Sequence, residues 1–177
     1  SVFDHLDNVS GMKFHKGRLY CSCNTILGDL VYGIQNEQQF SSWSFCDDGR
    51  TWPGCRMCFI GEELAVADRP NQRITLYTTN GEEIRHVACN SITCDGSVVI
   101  CRAEQQSIII SDELSSTVLK LNLGSGEIEW KSTCVPQPQA VTCDLPGYVL
   151  VASESDVPTL SVLDSKTGEQ FCTFQHN

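Results

Sequence analysis

Positive charge is what this sequence is shortest of. Lys and Arg supply 12 of its 177 residues against 22 Asp and Glu, a formal net charge of −10. A surface of that sign repels phosphate, so a broad nucleic-acid-binding face and peripheral attachment to anionic membranes are both disfavoured. Aromatic residues are 8% of the chain, few for stacking bases. Long hydrophobic runs are missing as well. The longest aliphatic stretches, such as Ile108–Ile110 and Val149–Val151, are far too short to span a bilayer as a helix. No window holds an i, i+3, i+4 apolar pattern, which excludes a helical repeat array. Catalytic signatures are absent too: there is no Gly-x-Ser-x-Gly elbow, no phosphate-binding Gly-x-x-x-x-Gly-Lys loop and no His-Glu-x-x-His. The chain starts at Ser1 with no secretory leader pattern, as expected of a mature or excised piece of a longer protein.

What is present is a repeat. Hydrophobic residues make up 41%, enough for one packed domain. Short apolar strands ending in a small or polar residue recur at Leu19–Cys23, Leu64–Asp68, Ile108–Asp112 and Val149–Ser153, with ends 45, 44 and 41 residues apart. Each is followed by a polar loop and a second strand: Asp29–Ile34, Arg73–Tyr77, Val118–Leu121 and Leu160–Leu163. A Gly-Glu turn follows in three copies, at Gly81-Glu82, Gly126-Glu127 and Gly168-Glu169; the first copy has Gln35-Asn36-Glu37 instead. An inner strand precedes each unit (Ser10–Phe14, Arg56–Ile60, Ser97–Arg102, Ala140–Cys143). An outer strand closes it (Phe40–Phe45, Glu83–Val87, Ile128–Ser132, Gln170–Phe174). Four short strands every 41–45 residues is the arithmetic of a β-propeller blade. The expectation is therefore an all-β, single-domain propeller over residues 1–177. Its four four-stranded blades fall at about 8–46, 54–89, 96–134 and 138–175.

Eleven cysteines are many for this length. Cys55-x-x-Cys58 and Cys21-x-Cys23 have metal-like spacing, but a zinc site needs further ligands at similar spacing, and the four histidines are scattered. The repeat gives another account. Cys58, Cys101 and Cys143 end inner strands, and Cys46, Cys89 and Cys134 follow outer ones, all 42–45 residues apart. Phased cysteines fit a small buried hydrophobe that recurs in each blade. Their odd number fits reduced thiols, and with them a cytoplasmic setting. No metal or cofactor is expected.

The segment Leu64-Ala-Val-Ala-Asp68-Arg69-Pro70-Asn71-Gln72-Arg73-Ile74, running to Tyr77 and Asn80-Gly81-Glu82, resembles an NHL repeat. So does Pro138–Asp144 leading into Val149–Ser153, while the first copy is degenerate. NHL propellers usually have six blades and commonly end tripartite-motif proteins, where they capture protein or RNA for a ubiquitin ligase. The resemblance implies a recognition module. It carries no ligase activity onto this chain, which has no RING-type Cys/His ladder. RNA binding, its other implication, is opposed by the charge. A second resemblance lies in Leu121–Trp130 and Leu163–Phe171, which look like the tryptophan-docking turns of quinoprotein propellers, with Trp130 alone at the docking position.

In a propeller, the loops between the second and third strands of each blade share one face with the blade-to-blade connections. Recognition residues gather on loops held by a rigid scaffold. The candidates there are Arg50, Trp52, Arg69, Asn71, Gln72, Asp112, Glu113, Glu154 and Asp156. As a functional set, the acids attract a basic peptide or a cation, and Trp52 beside Arg50 anchors a protein partner. The competing reading is ordinary loops, with Asp68 and Asp112 bonding nearby backbone amides and Trp52 packed between blades. A metal-dependent or small-molecule propeller enzyme is a further alternative; it needs acidic and Asn ligands converging on the axis. Four blades leave two geometries open. Either the chain closes as a four-bladed ring, or it is an open array whose end blades expose apolar faces and dimerise.

Overall fold

The structure is a computed structural model. It describes residues 9–25, 28–35, 38–46, 57–69, 71–93, 98–104, 106–143 and 147–175, with backbone alone for 10, 11 and 22–46. Sixteen strands form four antiparallel sheets, each a meander of four consecutive strands. Blade 1 holds β1 (Val9–His15), β2 (Arg18–Thr25), β3 (Gly28–Gln35) and β4 (Gln38–Cys46). Blade 2 holds β5 (Met57–Ile60), β6 (Glu63–Asp68), β7 (Arg73–Tyr77) and β8 (Glu83–Ala88). Blade 3 holds β9 (Val98–Arg102), β10 (Ser107–Asp112), β11 (Thr117–Asn122) and β12 (Ile128–Ser132). Blade 4 holds β13 (Pro138–Thr142), β14 (Tyr148–Ser153), β15 (Thr159–Asp164) and β16 (Gln170–Gln175). This is a β-propeller architecture of four four-stranded blades. Among the described residues no helix is long and apolar enough to cross a membrane.

The inner strands stand side by side in chain order, β1 beside β5, β5 beside β9 and β9 beside β13. No comparable contact among the described residues links blade 4 back to blade 1. Each sheet therefore has a leading face, turned to the next blade, and a trailing face, turned to the previous one. Strand alternation assigns side chains to them. Cys58, Ala65, Ala67, Ile74, Leu76 and Val87 of blade 2 pack on Val98, Ile100, Ile108, Ile110, Leu119 and Leu121 of blade 3. Cys101, Ile109, Val118 and Trp130 of blade 3 pack on Val141, Val149, Val151 and Leu163 of blade 4. Tyr20 of blade 1 meets Met57, Leu64, Val66 and Tyr77 of blade 2. These interfaces explain why β10 reads as one apolar run and is buried at every residue: it is covered on both faces. Stacking buries what a lone sheet leaves wet.

The turns between third and outer strands repeat in detail. Gly81, Gly126 and Gly168 all have positive φ, at 89°, 77° and 73°. A register shift follows each turn, at Leu76/Tyr77, Lys120/Leu121 and Val162/Leu163. That shift fixes which outer-strand residues are equivalent: Arg85 opposite Leu76, Trp130 opposite Lys120 and Cys172 opposite Val162. The first two latch onto the next blade. Arg85 Nη1 donates to Leu123 O at 2.6 Å, and Trp130 Nε1 donates to Ser165 O at 3.0 Å. The Trp130 ring lies over Gly168, where an added Cβ would be 2.5 Å from Cε3. Trp130 thus docks blade 3 onto blade 4, as its resemblance to a tryptophan-docking turn implied.

The thiols are also placed by register. Cys58 and Cys101 are equivalent, each on a leading face. The 42-residue spacing makes Cys143 their counterpart, but the pairing of Thr142 with Leu150 gives that place to Thr142. Cys143 comes one residue later and turns back toward blade 3, so its Sγ lies 3.2 Å from Cys101 Sγ. This neighbour and burial push the Cys101 thiol well above its ordinary range. Cys21, Cys58, Cys89 and Cys101 are buried thiols outside any disulfide, while Cys134 and Cys172 are exposed.

Candidate functional site

The face carrying loops 69–72, 113–116 and 154–158 is organised by side chains at two repeated positions. The first is the last residue of the second strand: Asp68, Asp112 and Ser153. Asp68 is almost fully buried and accepts from Asn71 Nδ2 at 3.0 Å and Arg73 Nε at 2.7 Å, which closes its own loop. Asp112 has no exposed surface. One carboxylate oxygen accepts from Thr93 Oγ1 at 2.8 Å and the Ser115 amide at 3.3 Å, and the other accepts from the Thr93 amide at 2.6 Å. Asp112 therefore ties its own loop to the connection from the preceding blade. Ser153 makes the corresponding bond one blade later, donating to Pro136 O.

The second position is the left-handed residue of the loop, Gln72 (φ 47°) or Ser116 (φ 48°). Gln72 Nε2 donates to Ile92 O at 3.0 Å, and the Cys89 amide donates to Gln72 O at 2.7 Å. Ser116 Oγ accepts from the Gln137 amide at 3.2 Å. The connections from blade 2 to blade 3 and from blade 3 to blade 4 are thus each held from both sides, by the blade left and by the blade entered. A loop face fixed in this way has little conformational entropy left to lose.

Against that frame the nine expected residues separate. Arg50 and Trp52 lie outside the described residues. Arg69 and Asp112 have no exposed surface, so neither side chain lies open on this face. The burial follows from their place at the root of the loop, where the sheet is covered on both sides. Gln72 is half-buried in its tie to Ile92, and exposed Asn71 gives its amide to Asp68. Glu113 is half-buried and accepts from Gln139 Nε2 at 3.0 Å. Glu154 and Asp156 are exposed. The structure adds two tips: Leu114 is 62% exposed and Val157 45% exposed, each among these acids in sequence. Apolar residues at the centre of a polar loop were the available signal for both. Among the described residues, no three His, Cys, Asp or Glu side chains come together as a metal-holding group.

Among the described residues two further clefts lie between neighbouring blades. One of about 330 Å³ between blades 1 and 2 is lined by His15, Lys16, Arg18, Tyr20, Glu62 and Thr79. Within it the His15 ring stacks on Phe59 at 4.2 Å. Lys16 bonds Glu62 and holds that carboxyl below its ordinary range. The other, about 400 Å³, is a shallow groove between blades 3 and 4 lined by Lys131–Cys134 and Thr167–Gln170.

No protein-family model matches the chain, and no curated protein does. Solved structures do. The Neurospora crassa Pan2 WD40 domain is 13% identical with a TM-score of 0.68, covering 97% of this chain and 51% of that one. The WD40 β-propeller domain of Doa1 is 11% identical with a TM-score of 0.73, covering 97% and 55%. Kuenenia stuttgartiensis hydrazine synthase is 10% identical with a TM-score of 0.70, covering 98% and 50%. At such identity the likeness establishes the propeller fold and nothing finer. The chain spans about half the length of each of these three.

Proposed function

We propose that the chain is a recognition module that captures a basic, amphipathic segment of a partner protein on its loop face. The observation that carries this reading is the pairing of rigidity with exposure. Loops clamped through Asp112, Ser153, Gln72 and Ser116 present Leu114 and Val157 beside Glu113, Glu154 and Asp156. Apolar tips supply buried area, and the acids select Lys and Arg and steer encounter, helped by the net charge of −10. The NHL-like segment 64–77 extends the proposal to substrate capture for a ubiquitin ligase of the tripartite-motif type.

Titration calorimetry with a Lys- and Arg-rich amphipathic peptide tests it. Binding is expected at low ionic strength, weakening as salt screens the acids. Leu114→Ser and Asp156→Lys each lower affinity by about tenfold, roughly 1.4 kcal/mol. Equal binding of an acidic peptide, or no heat with the basic one at low salt, rejects the proposal.

A further inference from the structure

Two positions near the end of each inner strand recur from blade to blade. Register sets Lys13, Cys58 and Cys101 against Tyr20, Ala65 and Ile109, which puts all three on leading faces. The position one residue further along turns to the trailing face, and Phe59, Arg102 and Cys143 occupy it in blades 2, 3 and 4. The junction of blades 1 and 2 thus carries Lys13 and Phe59 at these places, and that of blades 2 and 3 carries Cys58 and Arg102. At the junction of blades 3 and 4 both places hold a thiol, with Cys101 Sγ 3.2 Å from Cys143 Sγ.

The surrounding packing holds the two sulfurs near each other. Val141, Val149 and Val151 of blade 4 lie in one cluster with Cys101, Ile109 and Val118 of blade 3, and Cys143 packs against it. Trp130 bonds Ser165 across the outer part of the same junction, and Ser153 and Ser116 tie its connection on the loop face. A sulfur–sulfur bond is about 2.05 Å long, so closure asks for roughly 1 Å of approach. Groups fixed so close react at a high effective concentration. Access is uneven. Cys101 is buried, while Cys143 is half-buried and follows the last residue of β13. The bond to Cys143 and burial push the Cys101 thiol up, which keeps it protonated and slow toward outside reagents.

We propose that Cys101 and Cys143 are a redox site, closing a reversible disulfide that joins blade 3 to blade 4 when the oxidant is a low-molecular-weight disulfide, RSSR. The Cys143 thiolate attacks one sulfur of RSSR, forms the mixed disulfide and expels RS−. Cys101 then gives up its proton and attacks the Cys143 sulfur, expelling the second RS−. The sulfur–sulfur bond of the reagent breaks and one between Cys101 and Cys143 forms. The protein pair loses two electrons, the reagent gains them, and the two thiol protons end on two RSH. The new bond links residues 42 apart in the chain and restricts the states in which blades 3 and 4 separate.

Incubation of the 177-residue chain with oxidised glutathione, then alkylation in denaturant and peptide mapping by mass spectrometry, tests this. One predominant protein disulfide is expected, between Cys101 and Cys143, and dithiothreitol should return both to thiols. The oxidised chain should melt about 5 °C above the reduced one. Cys143→Ser should abolish both the link and the rise, while Cys134→Ser, at an exposed position, should leave both unchanged. Mapping of the unaltered chain decides the pairing even if Cys143→Ser weakens the fold. A link formed chiefly between other cysteines, thiols at Cys101 and Cys143 that both survive oxidation, or a glutathione adduct at Cys143 that never resolves overturns the proposal. A link that forms without any rise in melting temperature refutes a lock between the blades.

Discussion

Gly168 and Gly126 occupy the same place in successive blades with nearly the same positive φ, yet a methyl group would meet different surroundings. At Gly126 it would sit 3.5 Å from Val87 Cγ1, an ordinary contact; at Gly168 it would strike the Trp130 ring. Gly126→Ala should therefore cost about 1 kcal/mol, the backbone penalty alone. Gly168→Ala should cost about 3 kcal/mol, since overpacking is added. Paired urea titrations measure the difference, and equal losses would mean that Trp130 moves aside freely. Thiol chemistry is a second residue-scale check. Thiolate is the reactive form, and burial withholds it. Maleimide added to dilute native protein should modify Cys134 and Cys172 well before Cys21, Cys58, Cys89 or Cys101. The register error at Cys143 also belongs to this scale. A spacing of 42 counts residues but not the shift between Pro138 and Ala140 that turns the side chain to the other face.

Single elements are held by polar groups that apolar patterning does not reveal. Lys120 sits in the middle of β11 and is nearly fully buried, 2.8 Å from Glu129 and 3.3 Å from Glu104. Burial works to lower its pKa, but the bonds to Glu129 and Glu104 together raise it. For Glu129 burial works upward, and the bonds from Lys120, Ser107 and Asn122 together bring it below 4.5. The carboxylate's contribution is therefore complete above its ordinary value and fades as pH falls through the lowered one. The ammonium's contribution is complete below 10.5 and fades as pH rises past its raised value. Melting temperature should be flat between these limits and fall on both sides. Glu129→Gln should cost about 1 kcal/mol at neutral pH, a modest figure because the carboxylate is 31% solvent-exposed, and should flatten the acid side. An unchanged acid limb would place the titration elsewhere. Asp112 is the stronger case. Asp112→Ala removes the acceptor shared by the Thr93 amide, the Thr93 hydroxyl and the Ser115 amide in a part-buried site, and about 2 kcal/mol should be lost. If the loss stays below 0.5 kcal/mol, on the order of a surface change, loop and connection are not coupled through this carboxylate.

For the whole molecule, the sequence period carried most of the fold. The 41–45-residue repeat, the Gly-Glu turns and the alternating strands place all sixteen strands, because each blade solves the same burial problem. The site was less legible. Acids at loop ends read alike in sequence, but Asp112 faces the connection of another blade while Glu154 and Asp156 face solvent, and only packing separates them. Whether the ends meet was not legible at all, since closure depends on the angle between blades rather than on any residue. Inner strands that adjoin in chain order from β1 to β13, with no comparable contact among the described residues from blade 4 back to blade 1, make the open array the central claim. The most direct measurement is an isotope-filtered nuclear Overhauser experiment on an equimolar mixture of labelled and unlabelled chains. The account predicts no contact within a copy from the Met12 methyl to the Phe171 and Phe174 rings, which belong to the two end blades. The same contacts confined to one copy would mean a closed four-bladed ring and would contradict it.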